Sequence, residues 1–126
     1  MAKKHDVPVL AFCEDVAASG GYWLATAADE IFANNASIIG SIGVISAGFG
    51  FPQALEKLGV ERRVYTSGKS KSMLDPFRPE KEEDVQYLQT LQSDIHQTFI
   101  DQVKTRRGGR LNATEDELYS GQFWTG

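Results

Sequence analysis

A tract of five small residues, Ala17 to Gly21, constrains this chain more than any other feature. The preceding run, Val7 to Cys13, is short and almost wholly apolar, which is typical of a buried parallel strand. The stretch from about Gly20 to Ala28 has the composition of a short apolar helix. Small side chains between the two permit a sharp turn and close packing of the helix on a sheet. We therefore predict a strand, a tight turn over residues 14–19 and a helix.

The remainder of the chain continues to alternate strands with helices. Residues 31–33, 38–45 and 60–66 are predicted strands, residues 51–58 and 114–118 are predicted helices, and a final strand is expected after Gly121. Pro52 in the first turn and Gly59 at the end support the first of these helices. Strands alternating with helices predict an α/β domain with a mainly parallel sheet and flanking helices.

A loop and one long amphipathic helix lie in the second half. Residues 67–79 contain two prolines and little periodicity, which indicates a loop of a length that often has a function. Apolar residues then recur every three or four positions over about 80–107, which predicts a helix with one apolar stripe. Acidic residues at its start and basic residues at its end both complement the helix dipole.

Composition excludes several classes of function. With 126 residues, 41% of them hydrophobic and 24% charged, the chain is expected to form one domain with a core. The net charge of −4 argues against nucleic acid as a main partner. No apolar run is long enough to span a bilayer, so the chain as given is expected to be soluble. Cys13 is expected to be a buried strand thiol, and no histidines or cysteines have metal-ligand spacing.

Ser19 is the candidate nucleophile, because its neighbours leave its hydroxyl open to an incoming carbonyl. The same residues also fit a small-residue turn with no chemical role, and the tract alone leaves both interpretations open. With only His5 and His96 present, a Ser-His-Asp triad is a poor fit. A lysine could act as the base only as a neutral amine, which requires burial because its pKa in water is about 10.4. Lys69 and Lys71 are the candidates in the loop.

Three stretches in order, Asp15–Trp23, Gly40–Val44 and Ser67–Lys71, resemble the signal peptide peptidase A family. These are membrane-linked Ser-Lys peptidases of the crotonase/Clp-protease superfamily, and the resemblance runs from about Val7 to Gly126. It implies a crotonase/Clp-protease-like fold and a serine endopeptidase that cleaves signal-peptide remnants or unfolded and membrane-associated polypeptides through an acyl-enzyme. No cofactor or metal is implied.

The resemblance also assigns roles to four residues. It implies that Ser19 is the nucleophile and that Lys71, rather than Lys69, is the general base. The N–H of Gly20 is an expected oxyanion donor, by the usual role of the residue after the nucleophile. Ser41 matches a serine that orients the lysine amine, although a simple bend in a strand explains it equally well.

Further implications concern assembly and location. The resemblance implies a homo-oligomer with active sites at subunit interfaces, in a protein associated with the bacterial inner membrane through an anchor upstream. The ends of the sequence, including a helical tail at residues 1–6, suggest a fragment that lacks N-terminal strands, that anchor and a C-terminal end. Two alternatives stay open, namely a crotonase-like acyl-CoA-binding domain and a non-catalytic scaffold.

Overall fold

The computed structural model describes residues 6–126, so most of the expected helical tail at the N-terminus lies outside the described residues. The chain forms two compact units. The first contains the chain up to Val44 together with Ser93–Gly126, and the second contains Ile45–Gln92.

The strands of the first unit form two small sheets. They are β1 (Leu10–Cys13), β2 (Val16–Ala18), β3 (Glu30–Ala33), β4 (Ile38–Gly40) and β5 (Phe123–Thr125). The first sheet is the parallel pair β1 and β3. In the second sheet β4 lies between β2, to which it is parallel, and the antiparallel β5. The predicted α/β class is confirmed in this coarse form, with one small parallel sheet and one small mixed sheet.

Residues 6–126 also contain four α-helices: α1 (Gly20–Ala25), α2 (Pro52–Leu58), α3 (Glu82–Arg107) and α4 (Glu115–Leu118). A short 3-10 turn, Gly108–Arg110, follows α3 and was not expected. The predictions of α2 and of the long helix are confirmed almost to the residue. None of the helices in residues 6–126 is long and apolar enough to cross a membrane.

Two apolar clusters form the core of the first unit. The larger one joins α1 to the C-terminal half of α3 and contains Tyr22, Ile42, Phe99 and Val103. The smaller one packs the inner face of the strands against α1 and contains Cys13, Ala17 and Ala25. The predicted burial of Cys13 is therefore confirmed, and the thiol is free.

The second unit is built around α2 and a series of turns. Gly59 ends α2 in the left-handed conformation, with φ 66°, as its position predicted. The rings of Phe51 and Phe77 stack with centroids 5.4 Å apart. The Arg62 guanidinium lies 5.4 Å from the centre of the Phe77 ring and 3.4 Å from the Asp75 carboxylate. The predicted loop over residues 67–79 is confirmed, since this segment holds turns and no helix or strand.

Several predicted elements differ from the structure, and the strand expected over Val7–Cys13 begins only at Leu10. Residues 60–66 are not a strand, and residues 61–66 make no backbone hydrogen bond to another described residue. The strand expected over 38–45 ends at Gly40, where positive φ values at Gly40 and Ser41 end the extended backbone. Val16–Ala18 pairs as β2 although we expected a turn there. The helix expected to reach Ala28 ends at Ala25.

Candidate active site

Ser19 occupies a one-residue turn between β2 and α1. Its backbone angles are φ 50° and ψ −122°, a combination that a residue with a side chain rarely adopts and that costs about 1–3 kcal/mol. Two hydrogen bonds impose it: the Ser19 N–H donates to the Gly40 carbonyl at 2.8 Å, and the Trp23 N–H donates to the Ser19 carbonyl at 2.9 Å. The Ser19 side chain is exposed and makes no capping bond to α1. The turn therefore presents a hydroxyl that the helix does not use.

Gly20 and Gly21 open α1 directly beside this hydroxyl. Both are exposed, and a Cβ built on either would meet nothing within 4 Å. The first N–H groups of a helix have no carbonyl partner within it. A substrate carbonyl group can therefore approach the Gly20 N–H without steric hindrance from neighbouring side chains.

The segment that carries Ser41 lies next to the Ser19 turn. Strands β2 and β4 are parallel and Ala18 pairs with Gly40, so each serine follows a paired residue at the carboxyl edge of the sheet. Ser41 is half-buried with φ 53°, and its N–H donates to the Gln122 carbonyl at 2.6 Å. The structure thus brings the two predicted serine segments together, both with left-handed backbones.

His96 supports the Ser41 segment from α3. Its Nε2 lies 3.1 Å from the Ile42 carbonyl oxygen, within hydrogen-bond distance. No local signal could have revealed a contact between residues 54 positions apart.

Lys71 belongs to the second unit and Ser19, Gly20 and Ser41 to the first. Lys71 lies in a series of turns, its N–H donates to the Gly68 carbonyl at 3.3 Å, and its side chain is exposed. Lys69 is exposed in the same segment.

Metal chemistry has no evident site in the described chain. Across residues 6–126, no group of three or more histidine, cysteine, aspartate or glutamate side chains could hold an ion. An exposed serine at a sharp strand-to-helix turn is instead the arrangement that presents a nucleophile in serine hydrolases.

Comparisons with known proteins identify the family to which the chain belongs. Peptidase family S49 matches residues 1–126, and the chain belongs to that family. Membership implies a ClpP/crotonase-like fold, with which the mixed α/β elements and the single long helix agree in general. The resemblance identified from the three sequence stretches is confirmed.

Several curated proteins are similar over the whole chain. A Brucella melitensis protein named Na(+)/H(+) antiporter NhaA is 60% identical over 126 residues, which are 100% of this chain and 17% of that protein. An Enterococcus faecium protein described as a candidate signal peptide peptidase SppA is 36% identical over 98% of this chain and 36% of its own length. Protease 4 of Haemophilus influenzae is 33% identical over 98% of this chain and 20% of its own length. The chain therefore spans about a sixth to a third of these relatives.

Proposed function

We propose that this chain carries the nucleophile and the general base of a Ser-Lys serine endopeptidase. Ser19 attacks a peptide carbonyl, Lys71 accepts the hydroxyl proton, and the Gly20 N–H donates to the oxyanion. Ser41 orients the lysine amine by accepting one of its hydrogen bonds. Membership of peptidase family S49 supports the reaction class.

The observation that carries the proposal is the backbone of Ser19. A non-glycine residue at φ 50° and ψ −122° is strained, and strain of this kind concentrates at functional sites. A turn that served only to pack α1 on the sheet could hold glycine here without that cost, because glycine adopts such angles freely. Retaining a serine with an exposed hydroxyl therefore favours a chemical role for it.

The proposed mechanism assigns one step to each of these groups. The Ser19 oxygen forms a bond to the carbonyl carbon, its proton moves to the neutral Lys71 amine, and the negative charge collects on the carbonyl oxygen. The lysine then protonates the leaving amine, which yields an acyl-enzyme that water hydrolyses with Lys71 again as base. A single backbone donor in such a site contributes about 10²–10³ in rate.

The exposure of Lys71 bears on assembly. A neutral lysine needs surroundings that exclude water. We propose that a homo-oligomer supplies them, with active sites formed at subunit interfaces. The exposed Lys71 side chain supports this arrangement, because burial of that surface by a neighbouring subunit would desolvate the amine.

The substrates we propose are signal-peptide remnants and unfolded or membrane-associated polypeptides, acted on at the bacterial inner membrane. The Enterococcus faecium relative is named as a candidate signal peptide peptidase, which supports this substrate class. Unfolded polypeptides and released signal peptides offer accessible backbone carbonyls, which supports their access to the exposed Ser19.

A fluorophosphonate probe followed by intact-mass measurement tests the proposal. We expect one adduct on the wild-type chain, none on Ser19→Ala, and a rate at least about 10²-fold lower on Lys71→Ala, which is the lower range for a general base. Lys69→Ala is the matched control, since it removes an exposed lysine from the same loop, and it should label at the wild-type rate. Equal losses in both lysine variants would contradict the role of Lys71.

The same measurement separates the alternatives. An adduct that persists in Ser19→Ala would refute the nucleophile assignment. A folded, oligomeric wild-type chain that never labels would refute a working Ser-Lys site in it, and binding of coenzyme A in that case would favour an acyl-CoA-binding domain.

A further inference from the structure

Helix α1 is too short to be stable by itself. It has six residues, whereas isolated helices shorter than about 12–15 residues are marginal in water. The Ser19 side chain does not cap the N-terminus of α1. The helix also has no acidic residue in its first turn and no basic residue in its last turn. Its orientation, and with it the position of Ser19, must therefore be set by contacts with other elements.

One side chain from α3 binds the C-cap of α1 and the turn that follows it. Arg106 donates from Nε to the Thr26 carbonyl at 2.9 Å and from Nη2 to the carbonyls of Ala27 and Ala28 at 3.1 and 3.0 Å. The Thr26 carbonyl belongs to the C-cap of α1, and the other two carbonyls lie in the turn just after it. The guanidinium also places a positive charge at the negative end of the helix dipole.

The surrounding contacts make this attachment specific. Thr26 is fully buried, and its hydroxyl donates to the Trp23 carbonyl at 2.6 Å and accepts from Gln102 Nε2 at 3.2 Å. The Arg106 side chain is only 23% exposed and lies 3.9 Å from the Asp29 carboxylate. The planar guanidinium can serve several carbonyls at once, which a lysine ammonium cannot do in the same geometry.

We propose that Arg106 is a positioning residue for the nucleophile, an inference that rests on the proposed function. The helix is attached at its start by the Ser19 N–H bond to Gly40 and at its end by Arg106. At about 1.5 Å per residue, the two attachments are roughly 9 Å apart. Loss of the second leaves α1 free to tilt, and a displacement of about 1 Å at a reacting atom can reduce a rate about 10²-fold.

The test compares Arg106→Gln with Arg106→Lys and Arg110→Gln. Arg110 is the matched control, because it also reaches this region from beyond α3 but, among the described residues, donates only to the Asp29 carbonyl and not to the Thr26 C-cap of α1. For each variant, saturation kinetics of fluorophosphonate labelling give the probe dissociation constant and the maximal acylation rate separately. Hydrogen exchange of the Ser19 amide, measured by NMR, reports on the turn itself.

We expect Arg106→Gln to lower the maximal acylation rate at least about 10-fold with little change in probe affinity, and to speed exchange of the Ser19 amide. Arg106→Lys should recover part of the rate, and Arg110→Gln should resemble wild type. A loss in Arg106→Gln that only matches its loss of folded protein, or that Arg110→Gln shares, would overturn the inference.

Failure of the inference can be distinguished from failure of the proposed function. If the wild-type chain never labels, the proposed function fails, and amide exchange then decides whether Arg106 orders the Ser19 turn. Unchanged Ser19 exchange in a folded Arg106→Gln protein would refute the positioning role whatever the labelling shows.

Discussion

Replacing Gly40 by alanine perturbs the point at which the two serine segments meet. Gly40 is the last residue of β4, its carbonyl accepts the Ser19 N–H, and its φ is +93°. A Cβ at this position would lie 2.6 Å from Cε3 and 2.7 Å from Cζ3 of Trp124, and 3.1 Å from the Gln122 carbonyl oxygen. Alanine therefore introduces backbone strain and a steric overlap at the same time.

The expected loss of stability is about 3 kcal/mol. A left-handed backbone costs a residue with a Cβ about 1–2 kcal/mol. Overpacking by one methyl group adds about 1–3 kcal/mol, and the lower entropy of alanine in the unfolded chain offsets about 0.4–1 kcal/mol. An unfolding entropy of about 2.1 cal/mol/K per residue over the 126 residues gives about 0.26 kcal/mol/K, so the midpoint of thermal unfolding should fall by about 10 °C.

Thermal and urea unfolding, followed by far-UV circular dichroism, measure this loss, and two other glycines separate its causes. Gly121 has φ +86° but open space around its Cβ position, so Gly121→Ala should cost only the strain. Gly21 lies in α1 with neither strain nor overlap, so Gly21→Ala should stabilise the chain by about 0.5–1 kcal/mol. A Gly40→Ala chain as stable as Gly121→Ala would refute the overlap with Trp124, and no loss in either would refute the strain argument.

Two further predictions concern strain and pH. Ser19→Gly should raise the free energy of unfolding by about 1 kcal/mol relative to Ser19→Ala, because glycine adopts φ 50° and ψ −122° without strain; equal urea midpoints would contradict the strain at this turn. Hydrogen bonds from the Thr114 hydroxyl, and to a lesser extent from the Thr114 backbone N–H, lower the pKa of the Glu117 carboxyl below its ordinary value of 4.5. The capping interaction therefore stabilises the fold when the pH is above the pKa of Glu117 in the unfolded chain, and it is lost as the pH falls through the lower pKa of the folded chain. The stability gap between wild type and Glu117→Gln, measured by urea unfolding across this range, should therefore narrow in acid.

The elements that the sequence predicted well are those whose signals are local. Pro52 and Gly59 delimit α2 because each acts through its own backbone angles. The bounds of α3 followed from a periodic apolar stripe with acidic residues at one end and basic residues at the other. The apolar stripe is only partly buried, because Phe99 and Val103 are buried whereas Ile95 is 53% exposed.

Whether a segment forms a strand depends on a neighbouring strand with which it pairs, and local sequence patterns do not identify that neighbour. Residues 60–66 have the composition of a strand, but β propensity expresses fit to a neighbouring strand rather than a property of the segment alone. Val16–Ala18 is a strand of three residues, too short for any alternation to reveal, and it forms because β4 lies parallel to it. Pairing is thus a tertiary property, and local patterns predicted it poorly in both directions.

The candidate site follows the same division between local and tertiary causes. The tract around Ser19 predicted a tight turn, because small residues act locally, but the φ of 50° at Ser19 depends on a hydrogen bond to Gly40, 21 positions later (40 − 19). Ser41 repeats the pattern, with φ 53° and a bond to Gln122. Local rules would place glycine or asparagine at such angles. Departures from local rules are expected where function requires them. Within residues 6–126, two of the four non-glycine residues with positive φ are Ser19 and Ser41, to which we assign proposed roles, and the other two are Asp6 and Leu74. The tertiary contacts that impose this strain are therefore part of what makes Ser19 a candidate nucleophile.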